Sequence, residues 1–178
     1  MVTDANMQVP PPGDTEPVKA EVYCIRGETV SIGGAMEWII AELARRFAHT
    51  TEKKPKRQWG DLKRYIKTEG LNPALQDELG DVTGYFRPRN LAAHAGVMIV
   101  GVAEATQIFR LYRDKGIPQV ELVTLDELRD ETATARSGYR AIQVVGRALD
   151  DYAPAVLADM NELNRARLLG ESESRPPS

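Results

Sequence analysis

The sequence predicts a mainly α fold, a four- to five-helix bundle with a short β-hairpin, and three observations predict it. Apolar residues recur at steps of three and four over several separate stretches, as one face of a helix requires. A Thr-x-x-Glu capping box at Thr124 opens the longest of them. Apolar residues make up 42%, charged residues 28% and aromatic residues only 6%, which fits an ordinary folded domain and excludes a largely disordered, collagenous or repeat-dominated chain. At 178 residues there is room for one domain with tails.

Residues 1–20 hold Pro10, Pro11, Pro12, Gly13 and Pro17 among acidic and small polar residues. So little apolar surface cannot offset chain entropy, and a disordered tail is expected. Residues 21–30 (EVYCIRGETV) alternate weakly, predicting a short strand or extended arm before Gly33-Gly34. Ser31 as N-cap and the spacing of Ile32, Met36, Ile39, Ile40, Leu43 and Phe47 predict the first helix. Residues 50–58, with Pro55 and clustered charge, read as a connection before Trp59, Leu62, Tyr65 and Ile66 restart helical spacing up to Gly70.

Asn72-Pro73 pairs a cap with a proline at the first helical position, opening a third helix through Leu75, Leu79, Val82 and Phe86 towards Arg87. Pro88 removes an amide donor and disfavours helical geometry at Arg87, so a kink or a fresh turn through residues 89–95 is expected. The β-prone runs IFRLYR and QVELV flank a turn-rich spacer, residues 114–118, and predict the hairpin. From Thr124 the positions Leu125, Leu128, Ala135, Tyr139, Ile142, Val145 and Leu149 form the longest helix. Pro154 is expected to start a last helix with Leu157, Met160 and Leu163 on one face. The domain thus spans residues 21–169, followed by a second disordered tail over residues 170–178.

With 23 Lys plus Arg against 26 Asp plus Glu the net charge is −3, so an anionic partner must be recognised by a local patch. The one strong patch is Lys53, Lys54, Lys56, Arg57, Lys63, Arg64 and Lys67 against Glu52 and Asp61, beside Trp59 and Tyr65. Phosphate contact with aromatic stacking is one use for it; a solvated helix face with both aromatics in the core is the other. The single cysteine excludes an internal disulfide and a multi-cysteine zinc site, and Cys24 is expected to be buried packing. His49 sits at a helix end and is assigned no chemistry. Acidic pairs mark helix starts, so no metal site and no cofactor are expected. The absence of a leader or a long apolar run predicts a cytoplasmic protein away from membranes.

Chemistry is concentrated in Arg87-Pro88-Arg89-Asn90-Leu91-Ala92-Ala93-His94, which puts two guanidinium groups, an amide and an imidazole in eight residues. On an ideal helix Asn90 and His94 lie about 40° apart and share a face. Arg89 lies about 140° from His94, so it reaches the same site only through its long stem or from a dimer partner. An imidazole donates or accepts a proton near neutrality, and a guanidinium binds phosphoryl oxygens. The alternative is a helix-end histidine satisfied by a carbonyl, with Arg87 and Arg89 solvated or paired to Asp81 or Glu127.

The hexapeptide RNLAAH resembles the signature of the HEPN superfamily, an Arg, often followed by Asn, four to six residues before a His in a helical bundle. The likeness covers roughly residues 32–149. It implies a metal-independent endoribonuclease in many members, including toxin and defence effectors, and a noncatalytic nucleic-acid or nucleotide binder in others. Carried onto this sequence, Arg89, Asn90 and His94 match the motif; Arg87 also fits its longer spacing, and Pro88 departs from it. The resemblance further implies a homodimer with two facing motifs, RNA rather than DNA as substrate, and 2′,3′-cyclic phosphate products. A protein that neutralises it, or a helical protein-interaction role in place of catalysis, are the remaining expectations.

Overall fold

The computed structural model describes residues 15–102 and 105–173. Helix α1 (Glu16–Phe47) is followed by α2 (Pro55–Thr68), a 3-10 turn (Asn72–Leu75), α3 (Gln76–Gly84) and α4 (Phe86–His94). Three strands come next, β1 (Gly96–Val102), β2 (Ala105–Asp114) and β3 (Ile117–Val123), and then the long α5 (Leu125–Glu173). The fold is mainly helical with one small antiparallel sheet of order β1-β2-β3.

Two apolar clusters hold these elements. The larger joins Met36, Ile40 and Ala44 of α1 to Leu62 and Ile66 of α2, Val82 and Tyr85 at the end of α3, and Ile142, Val145 and Leu149 of α5. The smaller packs Val22 of α1 and Leu128 of α5 against Ile108 and Val123 of the sheet. The sheet therefore lies along the N-terminal half of α1, and α2 along its C-terminal half.

Helix α1 overturns the predicted arm at residues 21–30 and the predicted tail at residues 16–20. Val18, Val22, Ile25, Thr29, Gly33, Met36, Ile40 and Leu43 form one unbroken stripe at steps of three and four, so burial on a helical face outweighs the weak local alternation. Ser31 is an interior residue, not a cap, and Pro17 is tolerated in the first turn, where its missing N–H has no intrahelical acceptor. The remainder of that tail, residues 1–14, lies outside the described residues. Cys24, expected in a buried strand, is exposed on α1.

Pro55 begins α2 instead of belonging to the connection, because the first helical position needs no donor. The expected third helix is divided into the 3-10 turn, α3 and α4, with the break at Tyr85 and not at Arg87. Proline disrupts the bond to the carbonyl four residues back, so Pro88 acts on Gly84 and ends α3 there.

The hairpin forms as predicted. Its turn residues Lys115 and Gly116 take φ of 48° and 86°, the pair of positive angles that matches the twist of two antiparallel strands. Strand β1 went unread, although GVMIVGV is an apolar, β-branched run bounded by glycine. It pairs with β2 from Gly96 opposite Leu111 to Val102 opposite Ala105.

The capping box also forms. The Thr124 N–H donates to Glu127 Oε2 at 2.7 Å, and the Glu127 N–H donates to Thr124 Oγ1 at 3.1 Å. The Thr124 N–H, and after it the Thr124 hydroxyl, which also donates to Glu127 Oε2 at 3.1 Å, hold the Glu127 carboxyl below the usual carboxylate range. Helix α5 continues through Pro154 to Glu173, so the separate last helix does not exist and residues 170–173 of the expected second tail are helical. Residues 174–178, and the side chains of Leu157, Met160 and Leu163, lie outside the described part. Among the described residues no helix is long and apolar enough to cross a membrane.

Candidate functional site

The site is built on α4. Pro88 is buried as the third residue of this helix, a position at which a backbone N–H would have no intrahelical acceptor, and the Arg89 N–H resumes the ladder by donating to the Tyr85 carbonyl at 3.1 Å. The far end of α4 is closed by Arg26 of α1. Its Nη2 donates to the carbonyls of Ala92 at 2.8 Å and Ala95 at 2.6 Å, and its Nε to Ala92 at 3.2 Å, satisfying orphan carbonyls and opposing the helix dipole. Burial pulls the Arg26 guanidinium below its ordinary value, still far too basic to lose its proton at working pH.

Between these two anchors α4 crosses α1 at Gly33. A Cβ at Gly33 would stand 2.4 Å from Arg89 Cγ, so the glycine is there for the close approach of the arginine stem. Once across, Arg89 Nη2 donates to Glu37 Oε2 at 2.8 Å and Nη1 to Asn90 Oδ1 at 3.1 Å. Nη1 also stands 3.5 Å from His94 Nε2. The stem thus closes the 140° gap within one chain, and no second copy is needed to bring these groups together. Arg89 Nε is buried without a hydrogen-bond partner among the described residues, a polar atom held by the packing of its own stem.

Arginine 89 pairs with neither of the carboxylates that its position suggested. Asp81 instead accepts the Ser137 hydroxyl at 2.8 Å, and Glu127 serves the capping box. The acceptor is Glu37, which sequence reading missed. It lies one helical turn beyond Gly33 on α1, 52 residues from Arg89, and no local pattern relates the two. Tyr85, fully buried behind them, donates from its hydroxyl to the Gly33 carbonyl at 3.5 Å. Burial, and then the Glu37 charge, push its phenol well above the ordinary value, so it remains a neutral donor.

Asn90 and His94 are exposed and face a cleft of about 800 Å³ between the last turn of α4 and the outer end of the β2–β3 hairpin. Arg87 is exposed on the same short helix and has no ion pair among the described residues.

The basic patch lies elsewhere. Lys53 and Lys54 precede α2, and Lys56, Arg57, Lys63, Arg64 and Lys67 are on it, against the C-terminal half of α1. Arg57 pairs with Glu52 at 3.4 Å and Arg64 with Asp61 at 3.3 Å, which reduces the free charge of the patch. Trp59 is only 2% exposed and donates to Thr83 Oγ1 at 3.1 Å, so it is core and no stacking platform. Tyr65 is half-buried with its ring centroid 6.2 Å from that of Phe47. Among the described residues no hydrogen bond or ion pair joins the patch to Arg89, Asn90 or His94, and no group of three or more His, Cys, Asp or Glu side chains is placed to hold a metal ion.

Comparison with protein-family models, with curated proteins and with solved structures finds no match.

The crossing at Gly33 makes a paired prediction. Gly34, one residue on, has open space where a Cβ would go, so Gly34→Ala should raise stability by roughly 0.5–1 kcal/mol through helix propensity. Gly33→Ala gains the same propensity but must displace the Arg89 stem, and overpacking of about 1–3 kcal/mol should leave it less stable than wild type. Thermal unfolding of both variants checks the opposite signs.

Proposed function

We propose that this chain is a metal-independent endoribonuclease of the HEPN type that works as a homodimer. The observation that carries this reading is the convergence of three side chains on α4, beside the cleft that Asn90 and His94 line. Arg89 Nη1 lies within 3.1 Å of Asn90 Oδ1 and 3.5 Å of His94 Nε2, while Glu37 fixes the other Nη from behind.

In this reading the 2′-oxygen of RNA attacks the adjacent phosphorus as its proton passes to a His94 imidazole. The bond from phosphorus to the 5′-oxygen breaks, giving a 2′,3′-cyclic phosphate and a 5′-hydroxyl. Charge builds on the non-bridging oxygens in the transition state, and the Arg89 guanidinium, already oriented by Glu37, binds them more tightly there than in the ground state. Asn90 holds Arg89 and presents its amide to the phosphate. One imidazole cannot take the 2′ proton and deliver another to the 5′-oxygen at the same moment. A two-fold dimer supplies a second His94, and each copy would donate the same residues to a shared cleft.

A noncatalytic RNA- or nucleotide-binding module is the second reading. The 2.8 Å Glu37 contact favours it, because a paired guanidinium has less charge to offer a phosphorane. Product chemistry separates the two. Purified protein incubated with end-labelled RNA in chelator should yield cyclic-phosphate ends, and His94→Ala and Arg89→Ala should each slow this by roughly 10²- to 10⁴-fold. Equal rates for wild type and His94→Ala would remove the enzyme reading, and sedimentation at twice the chain mass tests the dimer.

A further inference from the structure

We propose that the cleft beside His94 is a ribonucleotide subsite, in which Arg113 holds a phosphate next to the scissile one and Gln119 reads the neighbouring base. The proposal rests on the ribonuclease reading of Arg89 and His94 and goes beyond it, because it names what selects the substrate.

The subsite arises from a mismatch of strand lengths. Strand β1 begins at Gly96, opposite Leu111, whereas β2 runs on through Tyr112 and Arg113 to Asp114, paired there with β3 alone. Helix α4 ends where β1 would have continued, and the space between its last turn and the open edge of β2 is the cleft. Its volume of about 800 Å³ falls within the range of ligand sites.

The lining has the composition a nucleotide needs. Leu111, Pro118 and Val120 give an apolar wall, with Val120 67% exposed, and a base can cover such a surface with its flat face. Gln119 brings an amide able to meet the donors and acceptors on a base edge. Arg113 supplies a guanidinium for phosphate. Among the described residues no Asp or Glu lines this cleft, although the chain carries 26 of them. A second groove among the described residues, about 570 Å³ beside α2, is lined by Asp61 and by none of Arg89, Asn90 or His94. An acid-free cleft opening on His94 suits a polyanion that carries bases.

The test uses fluorescent 2′-O-methyl oligoribonucleotides of single-base composition, which cannot be cleaved, titrated into the intact protein. Wild type should prefer one base. Arg113→Gln should weaken all sequences alike by roughly 5- to 10-fold and flatten the dependence of log affinity on log salt by about 0.7, the loss of one single-strand phosphate contact. Gln119→Ala, and Val120→Trp, which fills the cleft from an exposed position, should reduce the preference between bases, with circular dichroism confirming that each variant folds.

Absence of binding by wild type would overturn the proposal. So would affinity and base preference that none of the three substitutions alters. Val120→Trp changing the sedimenting mass with RNA binding intact would also overturn it, marking the cleft as a protein contact. Cleavage of unmodified RNA is read separately. Cleavage with indifferent variants sinks the subsite alone, and sensitive binding without cleavage sinks the nuclease alone.

Discussion

Replacing Arg110 with alanine should lower the free energy of unfolding by about 3 kcal/mol, a large share of the roughly 5–15 kcal/mol that holds a domain of ordinary stability. Arg110 is 3% exposed on the inner face of β2. Both its terminal nitrogens donate to Glu131 of α5, at 2.8 and 2.9 Å, and Nη1 also meets Glu121 of β3 at 3.5 Å. Truncation leaves the Glu131 carboxylate half-buried and without its bidentate donor, and opens a cavity beneath the sheet.

The magnitude belongs to the broken pair and not to the charge as such. Arg110→Met combined with Glu131→Leu should therefore recover most of the loss, because a packed apolar pair has no stranded charge. Urea titration of wild type, the single variant and the double variant checks this. A double variant no better than Arg110→Ala would show that the Arg110–Glu131 pair itself, and not the stranded charge or the lost packing, sets the cost. Arg110 ties the sheet to α5, and the sheet walls the cleft, so under the proposed RNA-binding reading the single variant should lose affinity in proportion to its unfolded population.

Trp59→Ala should cost about 3–5 kcal/mol, the range for deleting a large buried aromatic side chain. The indole fills the junction of α1, α2 and α3, and its Nε1–H donates to Thr83. Trp59→Phe keeps most of the apolar volume but forfeits that bond, at about 1 kcal/mol. Trp59 is core, one of the two readings of the basic patch, so on the proposed RNA-binding reading Trp59→Phe should leave the affinity for single-stranded RNA unchanged under folding conditions. Lost RNA affinity in a fully folded Trp59→Phe protein would restore the stacking role.

The motif itself was legible. Arg89, Asn90 and His94 could be singled out because reactive side chains crowd a short helical segment just after a proline. Their convergence was only half legible. Helical spacing puts Asn90 and His94 on one face, but whether Arg89 reaches them depends on a stem folded across Gly33 and tethered by Glu37, a contact made by two helices 52 residues apart. The basic run was visible as charge, yet its distance from the motif could not be read, since charge order along a chain does not say which faces helix packing brings together. Arg113 and Gln119 carry no motif; they become notable only because β1 is shorter than β2 at that end.

By itself the sequence determined what depends on neighbours within a few residues. The periodic stripes, the Thr124 capping box, the hairpin turn at Lys115-Gly116 and the interruption caused by Pro88 are all of this kind, because hydrogen bonds and sterics at that range are fixed by residue type. Tertiary structure decided the rest. The arm at residues 21–30 became helix because Val22 and Thr29 gain burial only on a helical face packed against α5 and the sheet. The acceptor for Arg89, the burial of Trp59 and the cleft beside His94 follow from packing between distant segments, where the apolar area removed from water, summed over the whole core, outweighs any local preference.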